Sequence, residues 1–329
     1  MKIGILGLGS MANTMAKTLV QMDDVECLAA ASRDEARART FAQKYGFQRA
    51  YGSYRALAED PDVELIYIAS PHSHHYEHAK LCLECGKPVL VEKAFTVNAR
   101  QAEELIALAR QKNLLMAEAI WTRYAPIRSD LERLVRESPV GKITALSANL
   151  GYPVMHNDRL NRPELAGGAL LDVGVYPLNF ALMAFGTDIA SVSAVCVPLP
   201  SGPDMQNTVT LTYRDGRIAT LMSSISAFTD RHGVIMGNEG YFVCDNINNI
   251  SEIRVYHIDP NGSFGNRPEV AVVHAPTRIS GYEYEIRSAM RAIREGRVEC
   301  DEMPHAETLR VMRILDEIRS QMGVKYPCE

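Results

Sequence analysis

The chain has 329 residues, 47% of them hydrophobic, which is enough for two domains that each bury a core. Its 35 basic and 40 acidic residues leave a mild negative charge. The chain has no block of basic residues of the kind that binds nucleic acid or a membrane surface. We therefore expect a globular protein that binds neither nucleic acid nor membrane.

Cysteine use and the first residues bear on the compartment. The seven cysteines are odd in number and scattered, which is typical of a reducing compartment. We find no apolar run long enough to cross a bilayer. The glycines of the opening MKIGILGLGSM, and its lack of a cleavage pattern, favour a first strand over a signal peptide. We expect a cytoplasmic protein.

Strands and helices alternate through the first third of the chain. This alternation predicts right-handed crossovers and a parallel sheet that is covered on both faces. We therefore expect an α/β protein whose residues 1–120 form a doubly wound Rossmann domain. The predicted strands are 2–6, 25–31, 64–69, 88–92 and 114–117, and the predicted helices include 34–45 and 98–112.

A glycine-rich turn, GLGSMA, follows the first predicted strand. Gly7 permits the tight turn, Gly9 lets the backbone approach a pyrophosphate, and Ala12 lets the helix pack closely. Together with Ser10 and Met11 they would place phosphates at a helix N-terminus, where N–H groups favour anions. The alternative is a tight turn in some other α/β protein.

The end of the second strand bears on the choice of cofactor. An acidic residue there would bond the ribose hydroxyls of NAD. This chain has Ser32 and Arg33, with Arg37 one turn later, and Arg makes strong bonds to phosphate. The pattern favours NADP and leaves NAD possible. In the alternative interpretation Arg33 is a solvated residue that pairs with Asp34 or Glu35.

The stretch SPHSHHYEHA, residues 70–79, holds four of the nine histidines. It follows a predicted strand, where ligands bind in such sheets. Cys82 and Cys85 favour a packed core, and a zinc site would need a second ligand pair nearby, so we predict no metal site. We assign these residues to the cofactor site: Ser70, Pro71, His72 and His75.

Three motifs resemble the glucose–fructose oxidoreductase/inositol dehydrogenase (Gfo/Idh/MocA) family. They are GLGSMA at 7–12, SPHSHH at 70–75 and VEKA at 91–94. Three further stretches resemble the branch that contains dimeric dihydrodiol dehydrogenase and NADP-dependent D-xylose dehydrogenase. These are EAIWTRYAP at 118–126, GGALLDVGVYP at 167–177, and the tail from Asp316 to Pro327.

The resemblance implies a second domain, residues 121–329, with substrate-binding and oligomerisation roles. Its large, open, mainly antiparallel sheet is often used for dimerisation, so we expect a homodimer or a higher homo-oligomer. The runs 143–150, 192–197, 208–213, 218–224, 241–244 and 253–258 read as its strands. Helices over 283–295 and 305–322 follow, and the last helices are free to pack back on the first domain.

The resemblance also implies residue roles. Lys93 is expected in the catalytic site, and Tyr176 is expected to be the acid/base where most of the wider family has histidine. Trp121 and Arg123 resemble positions that help to hold the cofactor. The family usually has proline after the lysine, whereas this chain has Ala94, and alanine rarely adopts a cis bond.

The residues themselves suggest the same chemistry. Asp172 and Tyr176 are four apart, so on a helix they share one face. Tyrosine, with a pKa of about 10, is a poor base unless a nearby ammonium such as Lys93 lowers that pKa. Glu92 is a candidate partner or cofactor contact. The alternatives are a surface lysine, a helix cap or salt-bridge aspartate, and a packing tyrosine.

The polar loop before the glycine pair 167–168 is a candidate substrate wall, with His156 and Arg159 as hydroxyl contacts. We predict an NADP-dependent oxidoreductase that transfers hydride between nicotinamide and a secondary alcohol of a pyranose sugar or cyclic diol. The alternative enzyme is an NAD-dependent glycosidase that uses a transient redox cycle. A non-catalytic nucleotide sensor and a zinc protein are further alternatives.

Overall fold

The computed structural model describes residues 1–258 and 268–329, which form two compact units. The first unit comprises residues 1–124, 278–313 and 328–329. The second comprises residues 125–277 and 314–327. The domain limits 1–120 and 121–329, drawn from sequence patterns alone, stay predictions.

The first unit contains a parallel sheet with the strand order β3-β2-β1-β4-β5-β6. Its strands are β1 (Lys2–Leu6), β2 (Glu26–Ala31), β3 (Arg49–Tyr51), β4 (Leu65–Ile68), β5 (Val89–Glu92) and β6 (Met116–Ala119). Its first helices are α1 (Ser10–Leu19), α2 (Glu35–Tyr45), α3 (Tyr54–Glu59), α4 (His75–Glu84) and α5 (Ala99–Lys112).

Every residue of β4 and β5 is buried, as expected for central strands of a sheet with both faces covered. The chain order reverses between β1 and β4, which is the point where such sheets bind ligands. Gly7, Ser32, Ser70 and Lys93 each follow a strand of this sheet. They therefore gather at its carboxyl edge.

The second unit contains the helices α6 (Ile127–Glu137) and α7 (Val175–Phe185) and a larger sheet. The strands are β7 (Ile143–Gly151), β8 (Ile189–Pro198), β9 (Asp204–Tyr213), β10 (Ile218–Ser224), β11 (Gly233–Gly237), β12 (Gly240–Cys244), β13 (Glu252–His257) and β14 (Glu269–His274). Their order is β14-β13-β12-β11-β7-β10-β9-β8. Within the described part of this second sheet, β7 and β10 pair in parallel and the other neighbours pair antiparallel. The expected α/β fold with a mainly antiparallel second sheet is confirmed.

After this sheet come α8 (Glu283–Arg294), which belongs to the first unit, and α9 (His305–Met322). Both lie within a residue of the helices predicted from the sequence. The residues between β13 and β14 that lie outside the described ranges include no predicted site residue.

A largely helical segment, Pro163–Phe185, corrects the expectation that no apolar run reaches membrane-spanning length. It combines a short 3-10 turn, a π-helical turn at Leu170–Gly174 and α7. Its length and composition would suffice for a span, but 94% of its most apolar window is buried inside the protein. That burial is typical of a core helix, and α7 packs on β7 and β10.

Candidate active site

The glycine turn after β1 is open toward the start of α1. Gly7 has a φ of 85°, and a Cβ there would come within 3.0 Å of the Ala69 carbonyl oxygen, so glycine is required. A Cβ at Gly9 would meet only that oxygen, 4.0 Å away, and would otherwise project into open space. Ala12 is wholly buried, as close packing of the helix requires.

The start of α1 fits a phosphate group. Ser10 and Met11 are the first residues of the helix. Among the described residues, none places an acidic side chain in its first turn, and the side chain of the capping residue accepts no hydrogen bond from its N–H groups. Such N–H groups and the helix dipole favour an anion. The cradle therefore suits the pyrophosphate of a dinucleotide, and a side chain at position 9 would fill it.

The residues after β2 are tied to the glycine turn. The Arg37 guanidinium donates to the Leu8 carbonyl oxygen at 2.6 Å. The Ser32 hydroxyl accepts from the Asp34 N–H at 3.2 Å. Ser32 itself is buried, so its side chain shapes the loop that leads into α2.

Arg33 is exposed, and its acidic neighbours are engaged elsewhere. Asp34 caps α2 by accepting from the N–H groups of Ala36 and Arg37. Glu35 pairs with Arg39 at 2.5 Å. Within the described ranges Arg33 forms no ion pair, so the predicted alternative, a pairing with Asp34 or Glu35, is not what the structure has. Its charge is available to an anionic ligand.

The histidines after β4 are mostly enclosed. His75 is wholly buried, with Nδ1 at 2.9 Å from the Ala94 carbonyl oxygen and Nε2 at 2.8 Å from the Ser70 carbonyl oxygen. His78 Nδ1 lies 2.9 Å from the Ser70 hydroxyl, and burial lowers the pKa of His78 to about 4. His72 is also buried. Cofactor contacts by His72, His75, Ser70 and Pro71 stay predictions.

The described residues hold no group of three or more histidine, cysteine, aspartate or glutamate side chains arranged to bind a metal ion. Cys82 is wholly buried, and burial raises the pKa of its thiol to about 12. It is therefore protonated at neutral pH and packs as a small apolar side chain.

Lys93 directly follows β5 and is partly exposed. Its backbone N–H donates to the Glu92 carboxylate at 3.2 Å. The Lys93–Ala94 peptide bond is cis, contrary to what an alanine at this position led us to expect. The structure thus places Lys93 at the carboxyl edge of the sheet, as predicted from the sequence pattern.

Glu92, Glu118 and Glu285 are among the buried carboxyl residues of the first unit. Glu92 accepts a short hydrogen bond from the Tyr67 hydroxyl. Burial, together with the charge of Glu92, raises the pKa of Glu285 well above its ordinary value. Burial raises the pKa of Glu118 to about 7, although the charge of Arg123 opposes the shift. Neither Glu285 oxygen has a hydrogen-bond partner among the described residues.

Trp121 and Arg123 are held in place by other side chains of the first unit. The Trp121 ring stacks on the Tyr282 ring, with centroids 4.0 Å apart and planes inclined by 3°. Arg123 is buried and lies 3.5 Å from the Glu307 carboxylate. Their predicted cofactor contacts stay predictions.

The second unit brings two predicted residues together. The Arg159 guanidinium donates to the Asp172 carboxylate at 2.8 Å. Asp172 lies in the π-helical turn and the buried Tyr176 in the first turn of α7, so both belong to one helical stretch. π-Helical turns often occur at functional sites. His156 is exposed on the loop before this stretch.

Asp204 supports the start of that helical stretch. It is wholly buried, and its Oδ2 accepts from the Leu170 N–H at 2.9 Å and from the Asn207 amide at 2.7 Å. Gly168, with a φ of 103°, leaves room for this carboxyl group, because a Cβ there would lie 2.5 Å from Oδ1. Asp204 therefore fixes the backbone that leads to Asp172.

Sequence reasoning missed Asp204 and Glu285. Asp204 stands in a polar, glycine- and proline-containing stretch that is typical of an exposed turn. Glu285 lies in the first turn of α8, where acidic residues usually face solvent. The one sequence signal that Glu285 is buried is the alternation of Glu283 and Glu285 with tyrosines in the stretch GYEYEI.

Two domains of a known family match the chain. The NAD-binding Rossmann domain of the Gfo/Idh/MocA oxidoreductase family matches residues 1–119, and the C-terminal domain of that family matches residues 129–243.

Several known proteins are similar over the full length. Trans-1,2-dihydrobenzene-1,2-diol dehydrogenase from Danio rerio is 31% identical, covering 98% of this chain and 97% of its own. D-xylose 1-dehydrogenase (NADP(+)) from Hypocrea jecorina is 31% identical, covering 99% and 93%. A crystal structure of a 3-ketoreductase from Actinomadura kijaniata in complex with NADP and TDP-benzene has a TM-score of 0.88 at 25% identity, covering 98% of both chains.

Proposed function

The chain belongs to the Gfo/Idh/MocA family of oxidoreductases, and from this premise we propose that it is an NADP-dependent dehydrogenase or reductase. Its proposed reaction interconverts a secondary alcohol and a carbonyl in a sugar or cyclic diol. The observation that carries the cofactor choice is Arg33, which follows Ser32 at the end of β2, where NAD enzymes have an acidic residue. Arg33 is exposed and forms no ion pair with any residue that the structure describes.

Each proposed role follows from the chemistry of the side chain. Oxidation of an alcohol removes a hydride from carbon and a proton from oxygen, and the bound nicotinamide supplies the hydride acceptor. Tyr176 takes the hydroxyl proton, with the charge of Lys93 favouring the phenolate. Asp172 orients a substrate hydroxyl, and Arg159 keeps that carboxylate in place.

The substrate class follows from the relatives and from the polar loop. The named relatives act on a dihydrodiol and on D-xylose, which are both polyhydroxylated compounds. In this chain His156 and Arg159 supply donors on the loop that precedes Asp172. We therefore expect vicinal hydroxyl groups in the substrate.

The test is nicotinamide absorbance during incubation with aldoses, cyclitols and dihydrodiols, with NADP⁺ and NAD⁺ in parallel. We expect turnover with NADP⁺ that Tyr176→Phe reduces by about 10² to 10⁴. Arg33→Ala should raise the KM for NADP⁺ and leave that for NAD⁺ nearly unchanged, because it removes only a phosphate contact. Arg39→Ala, on the helix α2 that follows Arg33 and paired with Glu35, is the matched control.

The opposite result is also informative. Absence of net turnover with every alcohol, together with nicotinamide that stays bound through purification, would overturn the dehydrogenase proposal in favour of the closed redox cycle of an NAD-dependent glycosidase. A homo-oligomeric state and a cytoplasmic location stay predictions, and light scattering checks the first.

A further inference from the structure

His75 has an unusual pair of hydrogen-bond partners. Its ring is wholly buried, and both nitrogens lie at hydrogen-bond distance from backbone carbonyl oxygens. Nδ1 is 2.9 Å from the oxygen of Ala94, and Nε2 is 2.8 Å from the oxygen of Ser70. Carbonyl oxygens only accept hydrogen bonds, so each contact requires a hydrogen on the ring nitrogen.

A neutral ring satisfies only one of these contacts. Neutral imidazole carries one N–H, and its other nitrogen presents a lone pair, which would face a carbonyl oxygen at less than 3 Å. Turning the ring by 180° exchanges each nitrogen for a carbon, so both hydrogen bonds would be lost. Only the imidazolium form donates to both oxygens.

We propose that His75 is a buried imidazolium at neutral pH and is the positioning residue for the turn that carries Lys93. It joins the end of β4, at Ser70, to the residue that follows Lys93 at the end of β5. Two charge-assisted hydrogen bonds offset part of the cost of burying the charge. The functional consequence rests on the proposed role of Lys93; the protonation state does not.

His72, His78, Glu92 and Lys93 are among the ionisable residues that lie close to His75 in space or in the chain. The His72 ring, on the 3-10 turn before α4, stands edge-on to the His75 ring with centroids 5.7 Å apart. Lys93 and Glu92 are next to Ala94 at the end of β5. Burial, with smaller contributions from the charges of His74, His75 and Arg33, lowers the pKa of His78 to about 4.

His78 provides the matched comparison within the same segment. Its Nδ1 faces the Ser70 hydroxyl, which can donate as well as accept, so a neutral ring satisfies this contact. Ser70 therefore contacts two histidine rings. His75 needs a hydrogen on both ring nitrogens, whereas His78 needs only one.

The test is two-dimensional NMR of the protein labelled with ¹⁵N at the histidine rings, at a pH of about 7.5, well above the ordinary histidine pKa. We expect two protonated nitrogens for His75 and one for His78, with each ring assigned by its loss in His75→Gln or His78→Gln. An unprotonated nitrogen on His75 would overturn the proposal. If His75→Gln fails to fold, the variants His72→Gln, His78→Gln and His305→Gln assign the other three buried rings, and the buried ring that remains is His75.

The positioning role has its own readout. We expect folded His75→Gln to lower kcat at least tenfold, because a small displacement of a catalytic group is costly. His274→Gln, on the exposed strand β14, should leave kcat unchanged. An unchanged kcat in folded His75→Gln would overturn the positioning role. A protein without dehydrogenase activity would instead contradict the proposed function and leave the NMR result standing.

Discussion

Two buried acids, one in each unit, show how partners decide the state of a carboxyl group. Glu285 in the first unit and Asp204 in the second are both wholly buried, and burial raises the pKa of each. Asp204 accepts hydrogen bonds from Leu170 and Asn207, which lower its pKa and oppose that shift. Glu285 has no such donors among the described residues and lies in the field of Glu92.

Equal burial therefore does not give the two carboxyl groups the same tendency to ionise. The donors around Asp204 favour its ionised form, so this acid organises the backbone before Asp172. Burial and the neighbouring charge of Glu92 both disfavour ionisation of Glu285, so its neutral form is favoured. Burial sets the cost of a charge, and the partners decide how much of that cost is offset.

The largest expected effect on stability comes from Asp204→Ala. The change leaves the Leu170 N–H and the Asn207 amide without their acceptor, and each buried orphan costs about 1–3 kcal/mol. We expect the free energy of unfolding to fall by about 4 kcal/mol, measured by urea unfolding and circular dichroism. A variant as stable as the parent would show that the carboxyl group is not the support of this helix start.

The second prediction concerns the pH dependence of stability through Glu118. Burial raises its pKa from 4.5 to about 7, so between these values the folded chain binds more protons than the unfolded chain. Stability from this group is therefore present below pH 4.5 and is lost as the pH rises through about 7. The change amounts to about 3 kcal/mol, at about 1.4 kcal/mol for each pKa unit.

Urea unfolding followed by the fluorescence of Trp121, the one tryptophan in the chain, checks this prediction. Glu118→Gln should remove most of the difference in stability between pH 5 and pH 8 that the parent shows. The exposed Glu137→Gln is the control. Equal slopes for parent and Glu118→Gln would contradict the assignment.

The smallest expected effect is that of Glu285→Gln. An amide has the shape of the neutral acid, so at pH 7 we expect the free energy of unfolding to change by less than about 1 kcal/mol. Asp204→Asn replaces an acid whose ionised form the donors favour, and should cost more than Glu285→Gln. If the two amide variants are equally destabilised, the proposed difference between the two acids is wrong.

Much of the first unit could be predicted from the sequence, because short apolar runs that end in glycine, serine or lysine are a local signal. That signal placed Gly7, Ser70 and Lys93 at strand ends. The strand β11 was missed because it begins and ends with glycine and has only three residues between. Edge strand β14 and the short β3 have similarly weak patterns.

The candidate site was only partly predictable. Asp172 and Arg159 were chosen for their chemistry, and the structure adds the hydrogen bond that joins them. The burial of Glu285 and Asp204 depends on contacts with residues far away in the chain, as with Leu170, which is 34 positions from Asp204. No periodic pattern reports such contacts, and the π-helical turn at 170–174 likewise has no local signature.

The most direct test of the proposed proton transfer is a double-mutant cycle of Lys93→Met and Tyr176→Phe on kcat/KM with NADP⁺. If both groups serve one proton transfer, each single variant loses about 10² to 10⁴ in rate, and the double variant is about as slow as the slower single variant. If the two losses multiply, the groups act independently, and the proposal that Lys93 activates Tyr176 is contradicted.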